Sequence, residues 1–104
     1  MADVINSNDR FIDITGEDGS TAIAADYDCG IGQLWSIIFI PGGDSDELVI
    51  KDGADDGPLI AHVSVAADTD LRQLNFFGRS ARPYLDVSDC SFSAGARVLL
   101  HHEK

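Results

Sequence analysis

The stretch that most constrains this fold is residues 33–41, Gln-Leu-Trp-Ser-Ile-Ile-Phe-Ile-Pro, which is apolar at both alternating sets of positions. Successive side chains of a strand point to opposite sides, so its apolar residues form two sets. These are Leu34, Ile38 and Ile40 on one side, and Trp35, Ile37 and Phe39 on the other. A strand of a lone antiparallel sheet normally has one polar side that meets water. We therefore expect a strand that is covered on both sides, by a second layer of the fold or by another subunit.

The rest of the chain consists of short alternating runs between clusters of turn residues, and no window keeps a helical apolar period for three turns. The predicted strands are 10–15, 21–27, 33–41, 47–51, 59–65, 71–77, 83–87 and 96–102. About eight strands at this spacing are typical of a sandwich or small barrel. We predict an all-β protein with a single domain over residues 1–104, an antiparallel β-sandwich that is jelly-roll-like. Residues 1–30 form either strands of this domain or an arm that wraps a neighbour.

Charge is distributed unevenly along the chain, whose formal net charge is −11. This excess of acid disfavours binding to a nucleic-acid backbone, which requires clustered Lys and Arg. Residues 1–70 contain 15 Asp and Glu against Arg10 and Lys51, whereas residues 71–104 contain five Lys and Arg against three acids. If the halves lie on different surfaces, copies can associate head to tail. If the fold interleaves them, the acidic loops only provide solubility.

No motif for catalysis, a cofactor or a membrane span stands out. No apolar run approaches the roughly 20 residues that cross a bilayer, and the start of the chain does not resemble a signal peptide. Neither a Gly-x-Ser-x-Gly elbow nor a complete phosphate-binding glycine motif is present. The acidic runs 42–47 and 52–57 are better explained as turns with self-capping Asp side chains than as calcium sites. We expect a protein that is not an enzyme and has no metal or cofactor.

The cysteines and histidines do not form a recognisable site either. Cys29 and Cys90 are too few for a structural zinc site, and without a signal peptide we expect two reduced thiols. His101 and His102 are adjacent and would point to opposite sides of a strand, so they cannot easily share a metal. For all three histidines, including His62, we expect positions on the surface or on an edge strand.

The segment 78–84, Gly-Arg-Ser-Ala-Arg-Pro-Tyr, joins two guanidinium groups to a rigid entry into a strand. Arg can hold a carboxylate with two hydrogen bonds, and Tyr is a frequent anchor of interfaces. Arg79, Arg82 and Tyr84 are therefore candidates for contacts between subunits. The alternative is that the arginines neutralise acidic residues of the same subunit.

Several stretches together resemble small β-rich virion proteins of tailed bacteriophages, of the head decoration or cement type. They are Trp35-Ser36-Ile37-Ile38-Phe39-Ile40-Pro41, Leu48-Val49-Ile50-Lys51-Asp52-Gly53, Gly57-Pro58, Phe77-Gly78 and Arg82-Pro83-Tyr84-Leu85-Asp86. The resemblance covers about residues 34–100 and contains strand and turn patterns, with no catalytic signature. It implies an oligomer at the junctions between capsid subunits, without a cofactor and without catalytic residues to transfer.

From this resemblance we expect a homo-oligomer, with a trimer as the favoured number, that binds the major capsid protein. It would be synthesised in the host cytoplasm and be located on the surface of the phage head in the virion. The expected interface residues are Trp35, Phe39, Arg79, Arg82 and Tyr84, and Arg82→Glu should weaken assembly. Three alternatives remain: a neck or tail structural protein, a small carbohydrate- or protein-binding sandwich that uses Trp35 or Tyr84 as a stacking platform, and an enzyme with a site built from distant loops.

Overall fold

The chain folds into two antiparallel β-sheets in the computed structural model, which describes residues 3–7, 10–16, 21–54, 56–66 and 71–103. The described strands are β1 (Val4–Ser7), β2 (Phe11–Thr15), β3 (Tyr27–Asp28), β4 (Gly32–Ile40), β5 (Glu47–Asp52), β6 (Leu59–Ser64), β7 (Arg72–Ala81), β8 (Pro83–Leu85) and β9 (Arg97–Glu103). A 3₁₀ turn at Val87–Asp89 connects β8 to β9. Within these residues there is no helix long and apolar enough to cross a membrane.

The order of the strands identifies a jelly roll. One sheet has the order β1-β2-β9-β4-β7 and the other the order β3-β8-β5-β6. The antiparallel pairs β2–β9, β3–β8, β4–β7 and β5–β6 are nested along the chain and alternate between the sheets. A long hairpin that is rolled up gives this nesting, which is the jelly-roll arrangement. The predicted jelly-roll-like β-sandwich is therefore confirmed.

Part of the described N-terminal region forms strands of this domain. β1 pairs with β2, and β2 pairs with β9 in the five-stranded sheet. The predicted strand 21–27 is wrong except at Tyr27, because the preceding backbone is bonded to a side chain instead of to a neighbouring strand. The Asp3 carboxylate accepts hydrogen bonds from the amides of Ala24, at 3.0 Å, and Ala25, at 2.9 Å.

The hydrophobic core lies between the sheets. The five-stranded sheet contributes Ile12, Ile14, Leu34, Ile37, Phe39, Val98 and Leu100, and the four-stranded sheet contributes Leu48, Ile50, Ala61, Val63 and Leu85. His102 is also fully buried, with its Nε2 3.3 Å from the carbonyl oxygen of Ala81. The expectation of a surface position is therefore wrong for His102, although His101 and His102 do face opposite sides of β9.

A bulge in β4 changes which side chains face the core. Leu34 pairs with His102 and Ser36 with His101, so Trp35 and Ser36 together oppose a single residue of β9. After an inserted residue, the alternation of a strand shifts to the other side. Ile37 and Phe39 consequently join Leu34 in the core, whereas Ile38 is half-buried on the outer side. The predicted alternation holds within residues 37–40, but the prediction is wrong in grouping Leu34 with Ile38 and Trp35 with Ile37.

The fold interleaves the acidic and basic parts of the chain, because the nested pairing places each C-terminal strand beside an N-terminal one. Arg97 on β9 forms an ion pair with Asp13 on β2, and Arg82 forms one with Asp28, each at 2.5 Å. Lys51 likewise contacts Asp89. Of the two alternatives that the charge distribution left open, the structure shows the interleaved one.

Candidate interaction surface

Four rings lie on neighbouring strands of the five-stranded sheet, and those of Phe11, His101 and Trp35 are on its outer side, opposite the core. They are Phe11 on β2, His101 on β9, Trp35 on β4 and Phe77 on β7. Phe11 is 50% exposed, Trp35 39% and Phe77 84%, while His101 is half-buried. We call these four residues the aromatic face. Large exposed aromatic side chains that are adjacent to one another are typical of interaction surfaces.

Direct ring contacts join three members of the aromatic face. Phe11 and His101 are paired residues of β2 and β9, and their rings are stacked with centroids 4.7 Å apart and planes at 21°. The indole of Trp35 lies on the other side of His101, with centroids 6.3 Å apart and planes at 32°. The imidazole therefore connects the two larger rings into one row across the strands.

Gly78 allows the Trp35 indole to lie against β7. A Cβ atom at Gly78 would lie 2.9 Å from both Cη2 and Cζ2 of Trp35, a distance that side chains do not tolerate. The backbone of Gly78 also has a φ of 81°, which favours glycine. The bulge in β4 and the glycine in β7 together hold the ring against the sheet, with one edge in solvent.

Phe77 is presented by an unfavourable backbone conformation. Asn75 pairs with Ser36 and Arg79 pairs with Leu34. Residues 76–78 of β7 therefore lie opposite a single residue of β4, Trp35. Phe77 has a φ of 57°, in the left-handed region that bulky side chains rarely adopt. Phe76 packs against the core, whereas the side chain of Phe77 is 84% exposed. Such strained positions are found mainly at functional sites.

We expect Phe77→Asn to raise the free energy of unfolding by up to about 1 kcal/mol, because Asn adopts the left-handed conformation at lower cost. Urea unfolding in dilute solution would measure the change. Phe11→Asn is the matched control, because it also removes an exposed ring but at a position without a left-handed backbone conformation. It relieves no strain and loses the stacking on His101, so it should not raise the free energy of unfolding. A lower stability of Phe77→Asn than of the unchanged chain would contradict strain at this position.

The aromatic face carries little net charge. On β2 and β9 the charged side chains of the outer side are Asp13, Arg97 and Glu103, two acids and one base. Arg97 donates to both carboxylate oxygens of Asp13, at 2.8 and 2.5 Å, and this bonding raises the pKa of the guanidinium. Glu103 lies 3.5 Å from His101. The ion pair between Asp13 and Arg97 is thus satisfied within one chain.

The structure separates two of the residues predicted for an interface. Trp35 lies on the aromatic face, where a partner can reach it. Phe39 is 0% exposed and packs in the core against Phe92, with ring centroids 5.9 Å apart. The assignment of Phe39 to an interface is therefore wrong, because the bulge turned its side chain inward.

Of the other three predicted residues, Arg79 lies on the same sheet as these rings, whereas Tyr84 lies on the four-stranded sheet. Arg79 is exposed on β7, and Tyr84 on β8 donates a hydrogen bond from its hydroxyl to Asp26 at 3.2 Å. The guanidinium of Arg82 donates to both carboxylate oxygens of Asp28, and this hydrogen bonding raises its pKa. For Arg82 the structure shows pairing within the chain, so its use in a charge-driven contact between subunits would first require breaking this pair.

Phe11, Phe77 and His101 were missed in the sequence. The signal that could have identified Phe77 is the run Phe76-Phe77-Gly78, in which two aromatic residues precede a glycine inside a strand. A glycine in a strand often marks a bulge. No comparable signal marks Phe11, which lies on the outer side of β2, beyond the residues that pair with β1.

The acidic run 42–47 forms the self-capped turn that the sequence predicts. The Asp46 carboxylate accepts hydrogen bonds from the amides of Gly42, at 2.8 Å, and Gly43, at 3.3 Å. In the part of the chain that the structure describes, no group of three His, Cys, Asp or Glu side chains is arranged to hold a metal ion.

Both cysteines are free, as expected, and Cys90 should react slowly. Burial raises the pKa of its thiol to about 11, although the amide of Val49 donates to its sulfur at 3.2 Å. Because the thiolate is the reactive form, alkylation at pH 8 should be about 100-fold slower than in unfolded chain. Maleimide labelling with and without urea measures this. Equal rates for the folded and unfolded chain would contradict the buried thiol.

Comparisons of the chain with protein-family models, with curated proteins and with solved structures found no match.

Proposed function

We propose that this chain is a structural protein of a phage virion, a decoration or cement protein that assembles with itself and binds the capsid on the head surface. The observation that supports this most is the aromatic face. The sandwich has a full core without these rings, yet about half of Phe11 and most of Phe77 remain in water. Exposed aromatic anchors of this kind are suited to burial against another protein.

The fold supplies a rigid support for such a surface. All strands of both sheets are antiparallel, and the nested pairs bring the first and last parts of the described chain together on β2 and β9. A protein that reinforces a shell has to hold its anchors in fixed positions while it buries surface across subunit boundaries. Jelly rolls also serve other functions, so the fold favours this proposal only in combination with the surface.

The apolar surface, and not the uneven charge, should carry assembly. The ion pairs of Arg82 and Arg97 are made within the chain, so these two guanidinium groups are already engaged and would have to be released to meet a neighbour's acidic loops. Contacts between exposed charges weaken in salt, whereas burial of apolar surface does not. Assembly of the proposed kind should therefore persist at high salt.

Virus-like particles from the organism that encodes the chain provide the test. After prophage induction and density-gradient purification, quantitative mass spectrometry should find the chain in the particle fraction, in fixed proportion to the major shell protein. Mild treatment that removes it should lower the temperature at which the shells rupture. Its presence only outside the particles would reject the proposal. Its presence in isolated tails would indicate a structural protein of the tail instead of the head.

A carbohydrate-binding module is the second candidate, favoured by the exposure of Trp35 beside His101. Partly exposed indole rings provide stacking platforms for sugars. Titration with soluble glycans, followed by the fluorescence of this single tryptophan, would test it. Saturable quenching by one glycan that is lost in Trp35→Ala would favour this candidate over the virion role.

A further inference from the structure

We propose that the sheet edge at β7 is the docking surface for a different protein, one that has an apolar pocket with a rim of Asp and Glu. Phe77 enters this pocket and Arg79 pairs with its rim. Only the assignment of the partner to the capsid rests on the proposed function. The inference adds the chemistry of the contact and the two residues that carry it.

Phe77 is an exposed anchor whose backbone is already fixed. Its side chain is 84% exposed, the highest value among the large apolar side chains of the described residues. On one side of it Phe76 packs against the core, and on the other side Gly78 faces the Trp35 indole. An anchor that is held in place before binding loses little conformational entropy when it binds. Exposed aromatic side chains in strained positions are typical of contact sites.

The two strands at this edge of the sheet contain no acidic residue. The chain has 18 Asp and Glu, and none of them lies within β4 or β7. The charged residues of these strands are Arg72 and Arg79, and both are exposed. An acidic partner is attracted to such a surface, whereas most other approaches to a chain with a net charge of −11 repel it.

Arg79 is available to a partner, in contrast to other guanidinium groups of the chain. Arg82 is engaged by Asp28, and Arg97 is engaged by Asp13. Arg79 forms no ion pair with any residue that the structure describes. A guanidinium group next to an exposed ring matches a carboxylate at the mouth of an apolar pocket, since Arg can donate two hydrogen bonds to it.

A second copy of this chain does not have the required pocket. Over the described residues the surface has no cavity that could receive a phenyl ring. Two copies that met edge to edge at β7 would also bring two arginine-bearing strands together, in addition to the repulsion between their net charges. The partner of this surface is therefore a protein with a different chain.

The bulge in β7 disfavours the addition of a partner strand to this edge. Residues 76–78 lie opposite the single residue Trp35, so the edge is irregular at its middle. Bulges and basic side chains at the edge of a sheet are known to hinder pairing with another strand. The contact is consequently made by side chains, with Phe77 at the centre and the exposed polar residues Gln73, Asn75 and Ser80 at the rim.

A synthetic host with the proposed chemistry tests the surface on the purified chain. Carboxymethyl-β-cyclodextrin has an apolar cavity that admits a phenyl ring and a rim of carboxylates, and β-cyclodextrin has the same cavity without the charge. In NMR titrations, Phe77→Ala should lower the affinity for both hosts about 10-fold or more. Arg79→Gln should lower the affinity for the charged host about 3-fold at low salt and leave the neutral host unchanged.

Phe11→Ala is the matched control for the host titration. It removes a phenyl ring that is 50% exposed but stacked on His101, so it should leave both affinities unchanged. No binding of either host, or equal binding by Phe77→Ala and the unchanged chain, would overturn the inference. A preference for the charged host that persists in Arg79→Gln would overturn the role of Arg79.

Rebinding to particles tests the partner. Virus-like particles from which the chain has been removed by mild treatment are mixed with purified chain, and the bound fraction is measured by sedimentation. Phe77→Ala should raise the dissociation constant about 30-fold or more. Arg79→Glu should raise it about 10-fold at low salt and less at high salt. Leu59→Ala, at a position that is 56% exposed on β6 of the other sheet, should bind like the unchanged chain.

The outcomes separate this inference from the proposed function. Circular dichroism first establishes that each variant is folded. Particles that rebind Phe77→Ala as tightly as the unchanged chain overturn the inference and leave the virion role intact. Particles that do not contain the chain reject the virion role, and the host titration still decides on the surface. If light scattering showed an oligomer of the purified chain that Phe77→Ala dissociates, the partner would be a second copy and the inference would be overturned.

Discussion

Phe39→Ala should lower the free energy of unfolding by about 3–5 kcal/mol, the range for removing a buried aromatic ring. Phe39 is 0% exposed, lies between the two sheets and packs against Phe92. Small domains have a total stability of about 5–15 kcal/mol, so this loss would remove a large share of it. Urea unfolding followed by circular dichroism would give the change.

Two variants serve as controls for Phe39→Ala. Phe39→Leu retains most of the volume and should cost clearly less than the alanine variant, about 1.5 kcal/mol. Phe77→Ala removes the same ring from a position that is 84% exposed and should change stability by about 0.5 kcal/mol or less. If Phe39→Ala and Phe77→Ala destabilised the chain equally, the assignment of the inward side of β4 would be incorrect.

The contrast between Phe39 and Trp35 shows how far the sequence of β4 could be interpreted. Its length and β-character are local properties, and the predicted 33–41 differs from the observed Gly32–Ile40 by one residue at each end. Which residues face inward depends on one inserted residue, because a bulge reverses the alternation. Neither glycine nor proline marks the bulge at Trp35–Ser36, so the sequence gives no warning of it.

The charge distribution was harder to interpret because it depends on which strands are neighbours. Dividing the chain at residue 70 treats each half as a surface, whereas nested pairing places β9 between β2 and β4. Arg97 then meets Asp13 from the opposite end of the chain. A jelly roll implies this pairing, because the outermost of its nested strand pairs joins an early strand of the chain to the last one.

The aromatic face could be predicted only in part. Trp35 was identified from its place in an unusually apolar strand. The row that it forms with His101 and Phe11 requires the pairing of β4 and β2 with β9, which no local pattern shows. Exposure of an apolar side chain is a property of the folded surface, so Phe11 in sequence resembled any residue of an alternating strand.

Asp46→Asn should lower the free energy of unfolding at pH 7 by about 2–4 kcal/mol, because several hydrogen bonds to a buried charged group are lost or weakened together. Asp46 is 2% exposed. Besides the amides of Gly42 and Gly43, its carboxylate accepts from the amide of Ser93 at 3.1 Å and from the Ser93 hydroxyl at 2.6 Å. It thereby joins the loop after β4 to the segment that precedes β9. The side-chain NH₂ group of Asn would face N–H and O–H donors that a carboxylate oxygen accepts from in the unchanged chain.

The effect of Asp46 should depend on pH in a defined direction. Burial alone would raise the pKa of its carboxyl, but the hydrogen bonds from Ser93, Gly42 and Gly43 together lower it below the ordinary value of 3.8. The folded state therefore binds the proton less readily than the unfolded chain. The stabilisation is fully present above the unfolded pKa and is lost as the pH falls through the folded pKa.

Urea unfolding of the Asp46→Asn variant and the unchanged chain, at several pH values between about 3 and 7, would test this. The difference in free energy should be largest at pH 7 and shrink below about pH 4, where the carboxyl of the unfolded chain takes up a proton. Asp56→Asn, at an exposed position in another turn, is the matched control and should change stability by about 0.5 kcal/mol or less. A difference for Asp46→Asn that stays constant with pH would mean that the side chain acts through its shape and not through its charge.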